Sequence, residues 1–324
     1  MKIRTVVILG GTGFVGGHLV NRLVRDGYQL RVLTRHRERH REFLVLVPRV
    51  ELTEANVHDP EVLKRHLAGA DAVINLVGIL NEQGDDGSGF RAAHVDLARK
   101  LVEVGKATGV RRLLHMSALN ADKEKGPSHY LKSKGEAEDL VHAAAAEGFQ
   151  VTSFRPSVIF GPKDSFFNRF AGLLRIAPYF FPLACPESRF APVYVGDVVE
   201  AFARCLDRRS ESGGQRYDLC GPHEYTLKEL VEYTAKSLGL RRRIIPLNEK
   251  HSHWQARVFE HLPGKPFSLD NYRSLQVHSV CQEQNGFAAL GIVPTSLEAV
   301  VPGYLEKKTI RGHYQTWRSL ARRR

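Results

Sequence analysis

"VVILGGTGFVGGHLVNRLVRDG", Val6 to Gly27, sets an apolar run against five glycines in eight residues and then an amphipathic stretch. The run from Arg4 to Leu9 suits a strand buried on both faces of a parallel sheet. From Phe14 to Asp26, apolar Val15, Leu19, Val20, Leu23 and Val24 recur at helical spacing, and Gly27 supplies a stop. Between strand and helix, Gly10-Gly11-Thr12-Gly13-Phe14-Val15-Gly16 fits G-x-x-G-x-x-G and, from Gly11, G-x-G-x-x-G. Glycines there allow a tight turn and bring backbone N–H groups against a pyrophosphate. Gly16 lets the helix pack close to the strand, and the helix N-terminus favours negative charge. Three glycines alone mark many ordinary turns; their place between a strand and a helix is the context that dinucleotide binding requires. No Gly-Lys-Ser/Thr follows, which excludes the phosphate loop of the nucleoside triphosphatases.

Strand-like and helix-like stretches go on alternating. Gln29–Thr34 reads as a second strand, and Asp59-Pro60 as a cap opening a helix through His66. Ala72–Leu76, Arg112–Met116 and Val151–Phe154 read as strands. Helices are expected from about Phe90 to Thr108 and from about Ser128 to Ala146. Repeated βα units of this length imply an α/β fold, a doubly wound parallel sheet of Rossmann type. After Gly161 the pattern loosens into aromatic, proline-punctuated sequence. The expected division is a nucleotide-binding domain over about 1–160 and 190–222, with a smaller interleaved C-terminal lobe over about 161–189 and 223–324.

The end of the second strand discriminates between cofactors. An NAD site usually places an acid there to bond the ribose 2′-hydroxyl. This chain has Thr34-Arg35-His36-Arg37. A guanidinium can bind a 2′-phosphate with paired hydrogen bonds, so Arg35 favours NADP(H) over NAD(H). Arg39 and Arg41 continue the run, and a solvated basic face is the alternative.

Tyr130 and Lys134 are four apart on a predicted helix and share one face; Ser117 ends the preceding strand. A lysine ammonium beside a tyrosine favours the phenolate and brings the group toward acid/base chemistry. Ser117 would hydrogen-bond a substrate oxygen. A Y-x-x-x-K spacing is common on solvated helix faces; its coupling to the glycine loop and to a strand-end serine gives it meaning.

These residues resemble the short-chain dehydrogenase/reductase superfamily in its extended or atypical epimerase/dehydratase-like branch. "GGTGFVG", "NLVG" at Asn75–Gly78, Ser117, Tyr130-x-x-x-Lys134, "RPSVIFGP" at Arg155–Pro162 and "VYVGDVVEAF" at Val193–Phe202 carry the resemblance. It implies that Asn56 and Val57 lie by the adenine. Leu76, Val77 and Gly78 would lie by the riboses, and Arg155, Pro156, Ser157 and Val158 by the nicotinamide. Over nearly the whole length, "SALNADKEKGPSHYLKSKGEAE" and "GPKDSFFNRFAGLL" also look like bacterial relatives of the nucleotide-binding accessory subunit of mitochondrial complex I. That likeness implies bound NADPH and association with membrane quinone machinery, with or without turnover. One departure is His94-Val95, where many members carry Asn-Val: His94 either holds a water in place of the asparagine or is an internally satisfied helix residue.

The bulk numbers agree with this frame. The 324 residues are 43% hydrophobic, enough for a sizeable core. No stretch approaches the roughly 18 apolar residues of a membrane span. Four scattered cysteines without a CxxC pair speak against a disulfide framework or a metal site and for a cytoplasmic protein. The net charge of +12 comes without a nucleic-acid-binding motif, so no nucleic-acid partner is expected. Phe166, Phe167, Phe170, Leu173 and Leu174 fall at helical spacing, with Ile176, Tyr179, Phe180 and Phe181 beyond. They read as helix core, as a wall for a quinone- or isoprenoid-like substrate, or as a membrane-peripheral surface with Arg169, Arg175 and the terminal Arg322–Arg324. Two functions follow as expectations. One is an NADP(H)-dependent oxidoreductase or epimerase-like enzyme using Ser117, Tyr130 and Lys134, linked to quinone or respiratory metabolism. The other is a non-catalytic NADPH-binding assembly factor of a respiratory or quinone-biosynthesis complex.

Overall fold

A computed structural model describes residues 3–38, 47–207, 209–262 and 265–305. Arg39, Arg41 and Arg322–Arg324 lie outside them. The chain divides into two compact units, one of residues 1–156, 198–219 and 284–292, the other of 157–197, 220–283 and 293 onward.

The first unit is built on β1 (Thr5–Leu9), β2 (Gln29–Thr34), β3 (Val50–Glu54), β4 (Ala72–Asn75), β5 (Arg112–Met116), β6 (Gln150–Pro156) and β7 (Arg216–Leu219). They form one sheet in the order β7-β6-β5-β4-β1-β2-β3, with every pairing parallel. Val6, Val7, Ile8 and Leu9 are fully buried, as expected of a central strand covered on both faces. The order reverses between β1 and β4, and at such a switch point the strand ends leave a crevice for a ligand.

Local chemistry sets the helix ends. In α1 (Phe14–Arg25), Leu19, Val20 and Leu23 are buried, and Gly27 turns the chain back with φ +93°. The Asp59 carboxylate accepts from the Glu61 and Val62 N–H groups and starts α2 (Pro60–Leu67) with proline in its first turn. The helix expected from Phe90 to Thr108 is not uniform. A π-helical turn over Arg91–Asp96 precedes α3 (Leu97–Thr108). Ser128 caps α4 (His129–Ala143), its hydroxyl accepting from Leu131 N–H at 3.1 Å. Strand β3 has no counterpart in the sequence reading: its alternation is short and Glu51 and Glu54 are exposed.

The second unit packs α5 (Phe166–Ile176), α6 (Leu227–Ser237), α7 (Glu249–Phe259) and α8 (Leu297–Leu305) with three two-stranded pairs. Phe160, Phe167, Ala171, Leu174, Leu230, Val231 and Val301 form its core. Part of the 166–174 aromatic stretch is thus core.

The cysteine expectation is corrected here: Cys220 and Cys281 are disulfide-bonded across 61 residues. Both flank the segment at Ala191, whose N–H donates to the Ser279 carbonyl and whose carbonyl accepts from Gly221 N–H. Spacing in sequence cannot show that juxtaposition. Cys185 and Cys205 are not disulfide-bonded. Thiol titration in denaturant is therefore expected to count two thiols before reduction and four after. Reduction or Cys281→Ser should lower unfolding stability by about 2–4 kcal/mol, read from the urea midpoint.

Candidate cofactor and catalytic site

Gly10, Gly11 and Gly16 of the loop leave no room for a side chain. A Cβ on Gly16 would lie 2.4 Å from the Gly10 carbonyl oxygen and 2.5 Å from the Gly11 Cα. One on Gly11 would lie 2.8 Å from Val32. Gly10 has φ +76°, and a Cβ there would meet the Leu76 carbonyl carbon at 3.0 Å. Gly13 N–H bonds Gly10 carbonyl at 3.0 Å, and Gly13 caps α1 without a side-chain acceptor on the helix's first N–H groups. Bare backbone ahead of a 12-residue helix fits a dinucleotide pyrophosphate. Thr12 reaches Thr34 at the end of β2, oxygen to oxygen 3.4 Å; Phe14 and Val15 open the helix.

Leu76, Val77 and Gly78 connect this loop to the Tyr-Lys helix. Leu76 N–H donates to Leu9, and Val77 N–H to the Asn75 side chain. A Cβ on Gly78 would lie 3.0 Å from Lys134 Nζ and 3.6 Å from His94 Nε2. Lys134 donates to the Met116 carbonyl at 3.1 Å and to the Val77 carbonyl at 3.5 Å. Its ammonium is buried, and desolvation lowers its pKa to about 8, opposed by Glu138.

Tyr130 stands one turn before Lys134, ringed edge-on by Phe90 and His94 at 6.0 and 5.8 Å between centroids. Burial raises its pKa to about 12. In the protein alone, desolvation therefore outweighs the lowering expected from the lysine, and the phenol is neutral.

Ser117, 2% exposed, donates not to open space but to Glu138 Oε2 at 2.8 Å. Glu138 is fully buried and also accepts from Arg155 Nε at 2.9 and 3.0 Å. Arg216 lies 3.7 Å away. The sequence reading passed over Glu138, although Tyr130, Lys134 and Glu138 follow at steps of four on α4. Arg155 is thus committed to Glu138, with Asp218 at 3.8 Å, and Pro156 ends β6. Ser157 and Val158 belong to the second unit, where Ser157 donates to the Ser279 carbonyl at 2.6 Å and Val158 packs on the apolar core.

His94 sits on the π-helical turn. Its Nε2 accepts from Ile79 N–H at 3.2 Å, so its proton is on Nδ1 facing Ser133 Oγ at 2.8 Å. Of the two readings, the structure shows the internally bonded one. Burial first, then Lys134, lowers its pKa to about 2.

Arg35 is exposed beyond β2, and Asn56 and Val57 follow β3, with Val57 buried and Asn56 exposed. The Asn56 carboxamide accepts from His58 N–H, and Lys100 donates to the His58 carbonyl at 2.8 Å. Burial, then Lys100 and Arg35, lower the His58 pKa. Three basic groups therefore gather past the ends of β2 and β3.

Residues 6–220 match the NAD dependent epimerase/dehydratase family. The chain belongs to that family, and is an NAD(P)-binding, oxidoreductase-like protein. It is 28% identical over 305 residues to NADH dehydrogenase (ubiquinone) 1 alpha subcomplex subunit 9, mitochondrial, of Rattus norvegicus, covering 90% of this chain and 77% of that protein. It is 33% identical over 248 residues to the ceramide reductase of Caulobacter vibrioides, covering 75% and 73%. The dTDP-glucose 4,6-dehydratase DesIV of Streptomyces venezuelae, solved with NAD and TYD bound, shares the fold at TM-score 0.72 and 20% identity, covering 95% of this chain and 98% of that one.

Two buried imidazoles carry a pH consequence. His115, whose Nδ1 faces the Asn75 side-chain amide at 3.3 Å, is lowered to about 3 by burial, then by Lys134. The folded chain holds His94 and His115 neutral where the unfolded chain protonates them. Stability is therefore expected to fall as pH drops below 6.5, by up to about 1.4 kcal/mol per pH unit for each histidine. Urea midpoints measured stepwise through that range check it; a midpoint flat with pH contradicts it.

Proposed function

We propose that the chain is an NADP(H)-dependent oxidoreductase that moves hydride between nicotinamide C4 and a carbonyl or alcohol carbon of an apolar substrate. One observation carries this reading: Gly10 abuts Leu76, and Gly78 abuts Lys134, so glycine loop and Tyr-Lys helix form one continuous wall. A bound nicotinamide supplies or accepts the hydride. In reduction, neutral Tyr130 donates its phenolic proton to the carbonyl oxygen; that O–H bond breaks as the alcohol O–H forms. Lys134, charged below about pH 8, stabilises the phenolate left behind. Ser117 orients the substrate oxygen by turning its hydroxyl from Glu138. Arg35, with His58 and Lys100 close by, receives a 2′-phosphate. The apolar substrate class rests on likeness to a ceramide reductase; quinone- and isoprenoid-like carbonyl compounds belong to the same class.

The 90% coverage by a respiratory-complex subunit supports a second reading. In it the same site holds NADPH without turnover, within a membrane-associated respiratory or quinone-biosynthesis assembly.

Calorimetry on nucleotide-free protein is expected to show NADPH binding more tightly than NADH. Arg35→Ser should remove roughly ten- to a hundredfold of that preference, the worth of a charge-assisted hydrogen bond at about 1.5–3 kcal/mol. Equal affinity for both nucleotides in the native protein refutes the assignment.

With NADPH and a panel of long-chain ketones and quinones, cofactor absorbance is expected to fall. Tyr130→Phe should cut kcat by about 10²–10⁴ and leave NADPH affinity unchanged. Reductive turnover should decline as pH rises through about 8, where Lys134 loses its proton. Because Glu138 raises the Lys134 pKa, Glu138→Gln should move that decline to lower pH. Turnover absent across the panel, together with a Tyr130→Phe strain of native phenotype and a glycine-loop variant that loses it, selects the second reading.

A further inference from the structure

The second unit carries an exposed surface that the cofactor site does not use. Helix α5 turns Phe167, Ala171 and Leu174 into the core, all fully buried, and its core face ends there. Ile176 is then 84% exposed, Tyr179 74% and Phe180 56%. The strand Phe180–Leu183 pairs in parallel with Arg243–Pro246, setting Phe180 beside Arg243 and Pro182 beside Ile245. Alternation along the strands separates the two faces. Leu183 and Ile244 point inward and are buried; Phe180, Pro182, Arg243 and Ile245 point outward and are exposed. The turn is held to this sheet: Arg243 N–H donates to the Tyr179 carbonyl at 2.9 Å, and Arg242 Nε to the Leu174 carbonyl at 3.0 Å.

Charge decides what covers such a face. Residues 175–183 and 241–247 contain four arginines and no acid. Among the described residues, no ion pair involves Arg175, Arg241 or Arg243. Aromatic and aliphatic tips ringed by unneutralised cations match the boundary between headgroups and acyl chains of an anionic bilayer. A second copy of the same face would bring arginines against arginines with no acid between them.

We propose that Ile176, Tyr179, Phe180 and Ile245, with Arg175, Arg241 and Arg243, dock this protein on an anionic lipid surface. The proposal is independent of the oxidoreductase reading. The full chain is expected to float with vesicles of phosphatidylcholine containing a quarter phosphatidylglycerol, and to stay behind with pure phosphatidylcholine or in molar salt. Arg241→Ser with Arg243→Ser should weaken partitioning by about fivefold per arginine. Tyr179→Ser with Phe180→Ser should abolish flotation. All four positions are exposed, and unchanged thermal melting shows the variants folded. A Tyr179→Trp reporter should shift its emission to the blue on anionic vesicles and be quenched by brominated acyl chains. Flotation equal on neutral vesicles, flotation surviving both double substitutions, or a dimer that Phe180→Ser dissociates while lipid binding is absent would each overturn the proposal.

Discussion

The approach of Gly16 to the Gly10 carbonyl is the constraint on which the first unit depends. At 2.4 Å from that oxygen, the position of a Cβ is already occupied by main chain, so α1 leaves β1 at a distance only glycine permits. The loop ahead of α1 meets the connector that follows β4, the strand paired with β1. From there contact passes without a gap: Gly10 onto Leu76, Gly78 onto Lys134. A larger residue at any of these points would separate the phosphate cradle from the polar helix. Loop, connector and helix are parts of one packing problem.

Helix α4 solves a second problem, that of keeping charge inside. Lys134 and Glu138 are both buried, and a buried charge left alone is costly. Here the ammonium is taken by one carbonyl past the end of β4 and one at the last residue of β5, the carboxylate by Ser117 and Arg155. One turn earlier, desolvation raises the Tyr130 pKa. Spacing of four residues thus yields three different electrostatic states on one face. The neutral phenol and the charged lysine form a pair whose pKa values are pushed apart, a pattern associated with divided acid and base roles.

The sheet was legible because its strands are apolar runs between strong turn and cap signals: Gln29–Thr34 and Arg112–Met116 fall where periodicity places them. The glycine loop, Tyr130, Lys134 and Ser117 were legible by residue type and spacing. What escaped was tertiary in origin. Strand β3 has an exposed edge and little apolar alternation. The π-helical turn that brings His94 to Ile79 and Ser133 leaves no mark on a 3.6-residue period. The Cys220–Cys281 bond needs two distant segments to meet at Ala191. Glu138 was visible at the right interval, but a glutamate four residues after a lysine ordinarily reads as a solvated pair. Only burial distinguishes it.

The aromatic stretch after Gly161 shows why composition alone leaves function open. Its apolar residues divide at Leu174: Phe167, Ala171 and Leu174 fill the core of the second unit, and Ile176, Tyr179 and Phe180 face outward. Arg175, Arg241 and Arg243 are exposed, and the apolar Ile176, Tyr179 and Phe180 stand exposed in the same segments. The two features are compatible at an interface where apolar depth and negative charge occur within one residue's reach. The surface belongs to the unit that does not carry the glycine loop, so the proposed lipid docking and nucleotide binding rest on different residues.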